Sequence, residues 1–220
     1  MTSDQPIPDN DVYQERPRLL DLFCGAGGAA MGYHRAGFDV IGVDIKPQPR
    51  YPFYFHQEDA FEYLDAYLGA VHFDVIHASP PCQAWSRATA WSGDRSSHPK
   101  LIDPTRERLR TAGLPYVIEN VQEARHDLHY PIRLCGSQFG LPVQSHRWFE
   151  IRSVPFRLMP PCHHQATDAS RDHGAKQTES EFRKAIGCEW MTVHEARQAI
   201  PPAYTEWIGG QLLDHLREWQ

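Results

Sequence analysis

The stretch Arg18-Leu19-Leu20-Asp21-Leu22-Phe23-Cys24-Gly25-Ala26-Gly27-Gly28 decides how the chain folds. After Arg18, its next five residues form an apolar run interrupted only by Asp21, which predicts a buried strand. The glycine turn then leads at once into a helical pattern that ends at Gly37. Strand, glycine turn and helix in that order open an α/β domain. Glycines at such a turn let the backbone approach a ligand closely, and the helix N-terminus offers unpaired N–H groups to a carboxylate or phosphate. The next strand, Phe38 to Val43, ends in Asp44, where an acidic residue after the second strand meets ribose hydroxyls. Asp44 is otherwise a turn or cap residue ahead of Pro47 and Pro49. Turn and acid together suggest an adenosine-bearing cofactor.

Downstream, Glu58-Asp59-Ala60 precedes a helix pattern through Phe61, Leu64 and Leu68 that closes at Gly69, so Asp59 sits at the next strand-to-helix turn. Phe73 to Ala78 is another apolar run, and Ser79-Pro80-Pro81-Cys82-Gln83 follows it directly. The two prolines stop the strand and fix the chain direction where Cys82 emerges. In an open α/β sheet that edge is where ligands bind, because the loops there converge on a crevice. Taken alone, Cys82 also fits the commoner fate of a cysteine, a small buried hydrophobe.

Pro115 to Ile118 reads as a further buried strand, and it carries Glu119-Asn120-Val121 to the edge of Cys82 if the two strands are parallel neighbours. The plainer reading of Glu119 is a cap or a surface ion pair. Between these strands, Asp103 caps a helix with Pro104 at its first position and Gly113 past its end. Ala84 to Ile102 is long, polar and aperiodic, the pattern of a mobile functional loop. Arg87, Arg95, Lys100, Arg106, Arg108 and Arg110 make this region locally basic, either as a solvated face or as a phosphate contact.

Leu134 to Leu141 and Arg147 to Arg152 read as later strands. From Ser153 to Gly174 no period holds, which marks a small appendage. Cys162, His163, His164, His173 and Cys188 offer metal-ligating side chains there, but without a Cys-x-x-Cys pair they match a zinc site poorly, and no metal is assigned. Thr178 with Glu181 and Thr192 with Glu195 are capping boxes for helices ending near Gly187 and Ile200. A final helix starts at Pro202, its Trp207, Ile208, Leu212, Leu216 and Trp219 being core positions.

With 220 residues, 41% hydrophobic and 23% charged, the chain suits one soluble domain with a small addition. No apolar run is long enough for a bilayer. The first seventeen residues lack the blocks of a signal peptide and read as a flexible lead-in. Five scattered cysteines suit a reducing cytosol, which places the protein in the cytoplasm. The net charge of −6 disfavours phosphate overall, so a nucleic-acid contact has to rest on local charge.

In order along the chain, Asp21-Leu22-Phe23-Cys24-Gly25-Ala26-Gly27-Gly28, Pro80-Pro81-Cys82-Gln83, Glu119-Asn120-Val121, Arg147 and Ala199-Ile200-Pro201-Pro202 resemble the ordered motifs of the DNA cytosine-C5 methyltransferases, and among them the compact phage and prophage members. The resemblance implies a Rossmann-like S-adenosylmethionine-dependent α/β fold with a reduced target-recognition segment. Its divisions are 1–17 as lead-in, 18–152 as catalytic domain, 153–190 as recognition segment and 191–220 as a helical segment completing the catalytic domain. It further implies a monomer acting on double-stranded DNA in the cytoplasm, the host's if phage-encoded, with no membrane or obligatory protein partner.

By the same resemblance Cys82 adds to cytosine C6, Glu119 holds N3 and the exocyclic amine, and Arg147 holds O2. S-Adenosylmethionine would lie against Asp21, Phe23, Gly25, Gly27, Asp44, Ile45, Asp59, Ala60, Pro80 and Tyr204, with Thr205 near its methionine end. Two departures stand out. Where the family has Gln-x-Arg-x-Arg, this chain reads Val143-Gln144-Ser145-His146-Arg147, so either Ser145 or His146 replaces the first arginine. Arg152 to Cys188 is also short for a recognition domain, which implies a short recognition site. An amino-methylating enzyme, an RNA substrate and a non-catalytic DNA-binding homologue are the competing readings.

Overall fold

In a computed structural model, the described residues are 16–82, 99–152, 154–164, 169–170 and 178–218. Gln83, most of the predicted 84–102 loop with Arg87 and Arg95, most of the 1–17 lead-in, His173 and Trp219 lie outside them.

The opening stretch folds as read: strand β1 (Arg18–Leu22), the glycine turn and helix α1 (Gly28–Ala36), which ends on Gly37 at φ 124°. A left-handed φ there favours glycine, because any Cβ would crowd the neighbouring carbonyl. Strands β2 (Asp39–Asp44), β3 (Tyr54–Gln57), β4 (Val75–Ala78) and β5 (Tyr116–Asn120) follow, with helix α2 (Ala60–Tyr67) after β3 and α3 (Ile102–Ala112) before β5. Strands β6 (Ile132–Leu134), β7 (Val143–Gln144), β8 (Arg147–Arg152) and β9 (Ala169–Ser170) come next, then helices α4 (Glu179–Ala185), α5 (Val193–Gln198) and α6 (Pro202–Glu218).

The main sheet has the order β3-β2-β1-β4-β5-β8-β6. Its β3-β2-β1-β4-β5 portion is parallel, while β8 runs antiparallel to both β5 and β6. This is the Rossmann-like α/β architecture. Strand order reverses between β1 and β4, so the loops leaving them diverge to opposite faces and open a crevice at the strand ends. The glycine turn and the Cys82 turn flank that switch point.

Alternation along each strand splits the core in two. Leu20, Leu22, Ile76 and Ile118 pack with Tyr63, Leu64 and Leu109, while Leu19, Val75 and Val117 pack with Tyr33, Tyr204 and Ile208. Helix α6 lies against α1 so closely that a Cβ on Gly32 would sit 2.0 Å from Thr205 Oγ1. A smaller cluster of Phe182, Ile186, Met191 and Ala196 closes over Ala26 and Val143.

Both capping boxes form, Thr178 and Thr192 each accepting the N–H of the glutamate three residues on. Three local expectations change. Helix α3 begins at Ile102, so Asp103 lies inside its first turn, where its carboxylate accepts from Arg106. Arg106 is itself buried and donates Nε and Nη2 to the wholly buried Glu150, so it takes no part in a phosphate-facing stripe. Residues 134–141 are a strand only through Leu134; Gly136–Phe139 is a 3-10 turn, because Gly136 packs against the Val143 carbonyl and Gly140 adopts a left-handed φ of 69°.

Candidate active site

The crevice is built from the ends of β1, β2, β4 and β5. Strand β4 is wholly buried and stops at Ala78, after which Ser79 donates its N–H to the Leu22 carbonyl and the prolines carry the chain to the half-buried Cys82. Asn120, ending β5, donates Nδ2 to the Pro80 carbonyl at 2.9 Å and accepts the Val121 N–H through Oδ1. The thiol turn is thereby tied to the strand that carries Glu119. Parallel pairing of β4 with β5 meets the condition set from the sequence.

Glu119 is 6% exposed and Arg147 7%. Their Oε1 and Nε lie 2.9 Å apart as an ion pair, without the directed geometry of a hydrogen bond along that contact. Arg147 also donates Nη2 to the Gln198 carbonyl, which fixes it to the C-terminal segment. Cys82, Glu119 and Arg147 are thus brought to one edge by three different strand ends.

The polar groups beneath the site are unusual. Asp21 and His77 are register partners on β1 and β4, both wholly buried. His77 bridges Tyr33 Oη at 3.0 Å and Ser79 Oγ at 2.9 Å, and burial pushes its pKa down to about 3, so the ring is neutral. Among the described residues Asp21 has no hydrogen-bond partner for either oxygen; burial, reinforced by the charges of Asp44 and Glu119, raises its pKa well above the usual carboxylate value. The sequence reading passed over His77, although a lone polar residue in a four-residue buried strand was a visible signal.

At the glycine turn, Gly25 has φ 50°, and among the described residues a Cβ there would meet nothing within 4 Å. Asp44 accepts the Gly25 N–H at 3.0 Å and the Lys46 N–H at 2.9 Å, serving as the turn cap that was the alternative to a ribose ligand. Asp59 caps α2 through Oδ1, accepting from Phe61 and Glu62. Phe23, at φ 58°, stands edge-on to Phe61 with ring centroids 5.8 Å apart, and Ile45 is exposed beside Asp44. Half-buried acids, an open glycine turn and uncovered apolar side chains suit a ligand with an adenosine end.

Five other expected cofactor contacts are more enclosed. Gly27 packs under Pro52 and Tyr51, and Ala60 and Pro80 are buried. Tyr204 is a core residue, wholly buried, donating its hydroxyl to the Ser145 carbonyl and stacking on Phe139. Thr205 donates to the Ala29 carbonyl. Both face the α1 and α6 packing rather than open space, a consequence of glycine positions on α1 that let α6 approach.

Residues 17–130 match the family described as C-5 cytosine-specific DNA methylase, just over half of the chain. The chain belongs to that family. Its cofactor is accordingly S-adenosylmethionine, which the glycine turn and its flanking acids fit. M.AplI, a type II methyltransferase of Arthrospira platensis, is 31% identical over 100 residues, which cover 44% of this chain and 29% of that protein. M.XorII of Xanthomonas oryzae is 27% identical over 214 residues, 88% of this chain and 44% of that one. The chain therefore spans less than half the length of either methyltransferase. Among solved structures, the Entamoeba histolytica methyltransferase EhMeth shares the fold, with TM-score 0.61 at 14% identity over 92% of this chain and 99% of that one.

The family member's described helices include none long and apolar enough to cross a membrane. The structure also brings together Cys135, His146, Cys162 and His164, of which only Cys162 and His164 stood among the candidate ligands. Cys188 is instead buried in the cluster of Phe182 and Met191.

Proposed function

We propose that this chain is a DNA cytosine-C5 methyltransferase that transfers a methyl group to a flipped-out cytosine through a covalent bond between Cys82 and C6. The observation that carries the reading is the joining of Cys82 to Glu119 through the Asn120–Pro80 hydrogen bond, with Arg147 paired to Glu119 at the same edge.

Cytosine C5 is a poor nucleophile. Addition of the Cys82 thiolate to C6 converts C5 into an enamine carbon, and Glu119 promotes that addition by holding a proton at N3. Arg147 then holds both Glu119 and the O2 edge of the base. S-Adenosylmethionine supplies the electrophilic methyl group. Loss of the C5 proton to a base and departure of the thiolate from C6 complete the balance. An unperturbed thiol titrates near pH 8.5, roughly, so the reading requires groups that raise the thiolate fraction when substrate is bound. Because C5 and C6 are shielded in a stacked duplex, the target base must leave the helix.

In this reading residues 18–152 and 191–220 form the catalytic body and 153–190 the recognition segment. With about 1–3 kcal/mol of discrimination per good bidentate base contact, so small a segment suits a short site. Support for DNA as target comes from the description of the family, C-5 cytosine-specific DNA methylase.

The test incubates the purified chain with S-adenosylmethionine and duplex DNA, or separately RNA, carrying 5-fluorocytosine, and maps adducts by mass spectrometry. Fluorine cannot leave C5 as a proton does, so the enzyme stays trapped. An adduct at Cys82 with DNA is the expected result. An adduct with RNA alone would transfer the reading to RNA, and intact cofactor binding without any adduct would favour a non-catalytic DNA-binding homologue.

A further inference from the structure

Four donor atoms from separate parts of the chain converge at the open edge of the main sheet. They are Cys135 Sγ, His146 Nε2, Cys162 Sγ and His164 Nε2, all within 4.8 Å of one another. Cys135 Sγ lies 3.2 Å from His164 Nε2, the two histidine nitrogens are 3.2 Å apart, and Cys162 Sγ is 3.7 Å from His146 Nε2. Tetrahedral ligation at about 2.3 Å to sulfur and about 2.0–2.1 Å to nitrogen sets donors roughly 3.3–3.8 Å apart; the spacing of 3.7 Å falls inside that range and the two of 3.2 Å just below it.

We propose that these residues form a Cys2His2 zinc site. Two thiols and two imidazoles in this spacing select zinc among the common divalent ions, since hard cations prefer oxygen donors. Mutual hydrogen bonds account less well for the cluster: two histidines point Nε2 at each other and at two sulfurs, whereas a cation satisfies all four lone pairs at once. Binding releases the two thiol protons and leaves each imidazole neutral.

The surroundings support thiolates. Cys135 Sγ accepts from Ser137 Oγ at 3.5 Å and from the Gln138 N–H, and Arg133 Nη2 points to Cys162 Sγ at 3.5 Å. Donors to the ligating atoms orient them and temper their charge. Gln138 also accepts the Cys135 N–H and donates to the Pro160 carbonyl, so the turn after β6 and the approach to Cys162 are already joined.

Sheet register explains why the sequence concealed the site. Strands β6 and β8 pair Leu134 with Arg147, so one residue further Cys135 falls opposite His146. The segment after β8 then returns Cys162 and His164 to the same point. Zinc here fastens the 154–164 segment to the sheet edge and clamps the residue immediately before Arg147. In the register that sets His146 against the first arginine, it also gives a physical account of that departure, His146 being committed to the metal. This proposal stands independently of the methyl-transfer reading.

The test is elemental analysis of the full chain purified without added metal, followed by cobalt titration of the metal-stripped protein. About one zinc per chain is expected, with a tetrahedral cobalt spectrum carrying sulfur-to-metal charge transfer. Cys162→Ser and His164→Ala should each lose the bound zinc and the cobalt charge-transfer bands of the native site, while Cys188→Ser and His163→Ala keep both. Circular dichroism of each variant separates metal loss from unfolding. A folded chain with no zinc and no tetrahedral cobalt spectrum would overturn the proposal. So would zinc content unchanged in folded Cys162→Ser, or the visible absorption of an iron–sulfur cluster.

Discussion

Arg147 Nε lies 2.9 Å from Glu119 Oε1, and both side chains are more than nine-tenths buried. A charge so placed is tolerated only with its partner, since removing one side of a buried pair strands the other away from water. Arg147→Ala is therefore expected to lower unfolding free energy by about 3–5 kcal/mol, measured by urea denaturation. Arg147→Lys keeps the charge but loses the planar fork, and should recover only part of that stability.

Glu119→Gln retains the shape of the side chain and removes its acid–base function. If the proposed chemistry holds, methyl transfer to duplex DNA should fall roughly 10²–10⁴-fold, with the dissociation constant for S-adenosylmethionine unchanged. An unchanged transfer rate would remove Glu119 from the mechanism.

Asn120→Ala deletes the donor that ties the Cys82 turn to β5 and leaves the Pro80 carbonyl without it. A loss of about 1–3 kcal/mol is expected in chemical denaturation. If the proposed chemistry holds, Asn120 acts by positioning the Cys82 turn, so the rate constant for adduct formation should drop while cofactor affinity is retained.

Gly32→Ala tests the contact between α1 and α6. The added Cβ would meet Thr205 Oγ1 at 2.0 Å and the Pro202 carbonyl at 2.1 Å, and the latter belongs to backbone that cannot swing aside. Overpacking of this kind costs typically about 1–3 kcal/mol, read as a lowered thermal midpoint. Gly210→Ala on α6, where a Cβ meets nothing within 4 Å, should be neutral or slightly stabilising.

The two buried titratable groups under the site act at opposite ends of the pH scale. His77 has a folded pKa of about 3 against the 6.5 of an ordinary histidine, so the unfolded chain takes up the extra proton between those values. Its contribution is full above pH 6.5 and is lost as pH falls toward 3. Asp21 is raised above the 3.8 of an ordinary aspartate; its contribution is full below that value and is lost as pH rises through the folded pKa. Asp21→Asn, a neutral isostere, should therefore gain on the native protein as pH rises, by at most about 1.4 kcal/mol per pH unit. Urea midpoints across a pH series check this; a constant difference would show that Asp21 titrates normally.

Residues close together in the chain set the local punctuation. The glycine turn, the two prolines before Cys82 and both capping boxes are short-range stereochemistry, and the apolar runs of β1, β4 and β5 reveal strands buried on both faces. Glu119 was a candidate because it follows the β5 run directly, and Cys82 because Ser79-Pro80-Pro81 carries the chain to it from the β4 run. Tertiary structure alone decided what is set by register and by facing surfaces. Pairing of β5 with β8 brought Arg106 to Glu150 and Arg147 to Glu119, and approach of α6 to α1 turned Tyr204 into a core residue. Pairing of β6 with β8 set Cys135 opposite His146, eleven positions apart in a chain whose local pattern carries no trace of that contact. Contacts across strands depend on where two distant segments align, and a one-residue slip would have turned every side chain to the other face.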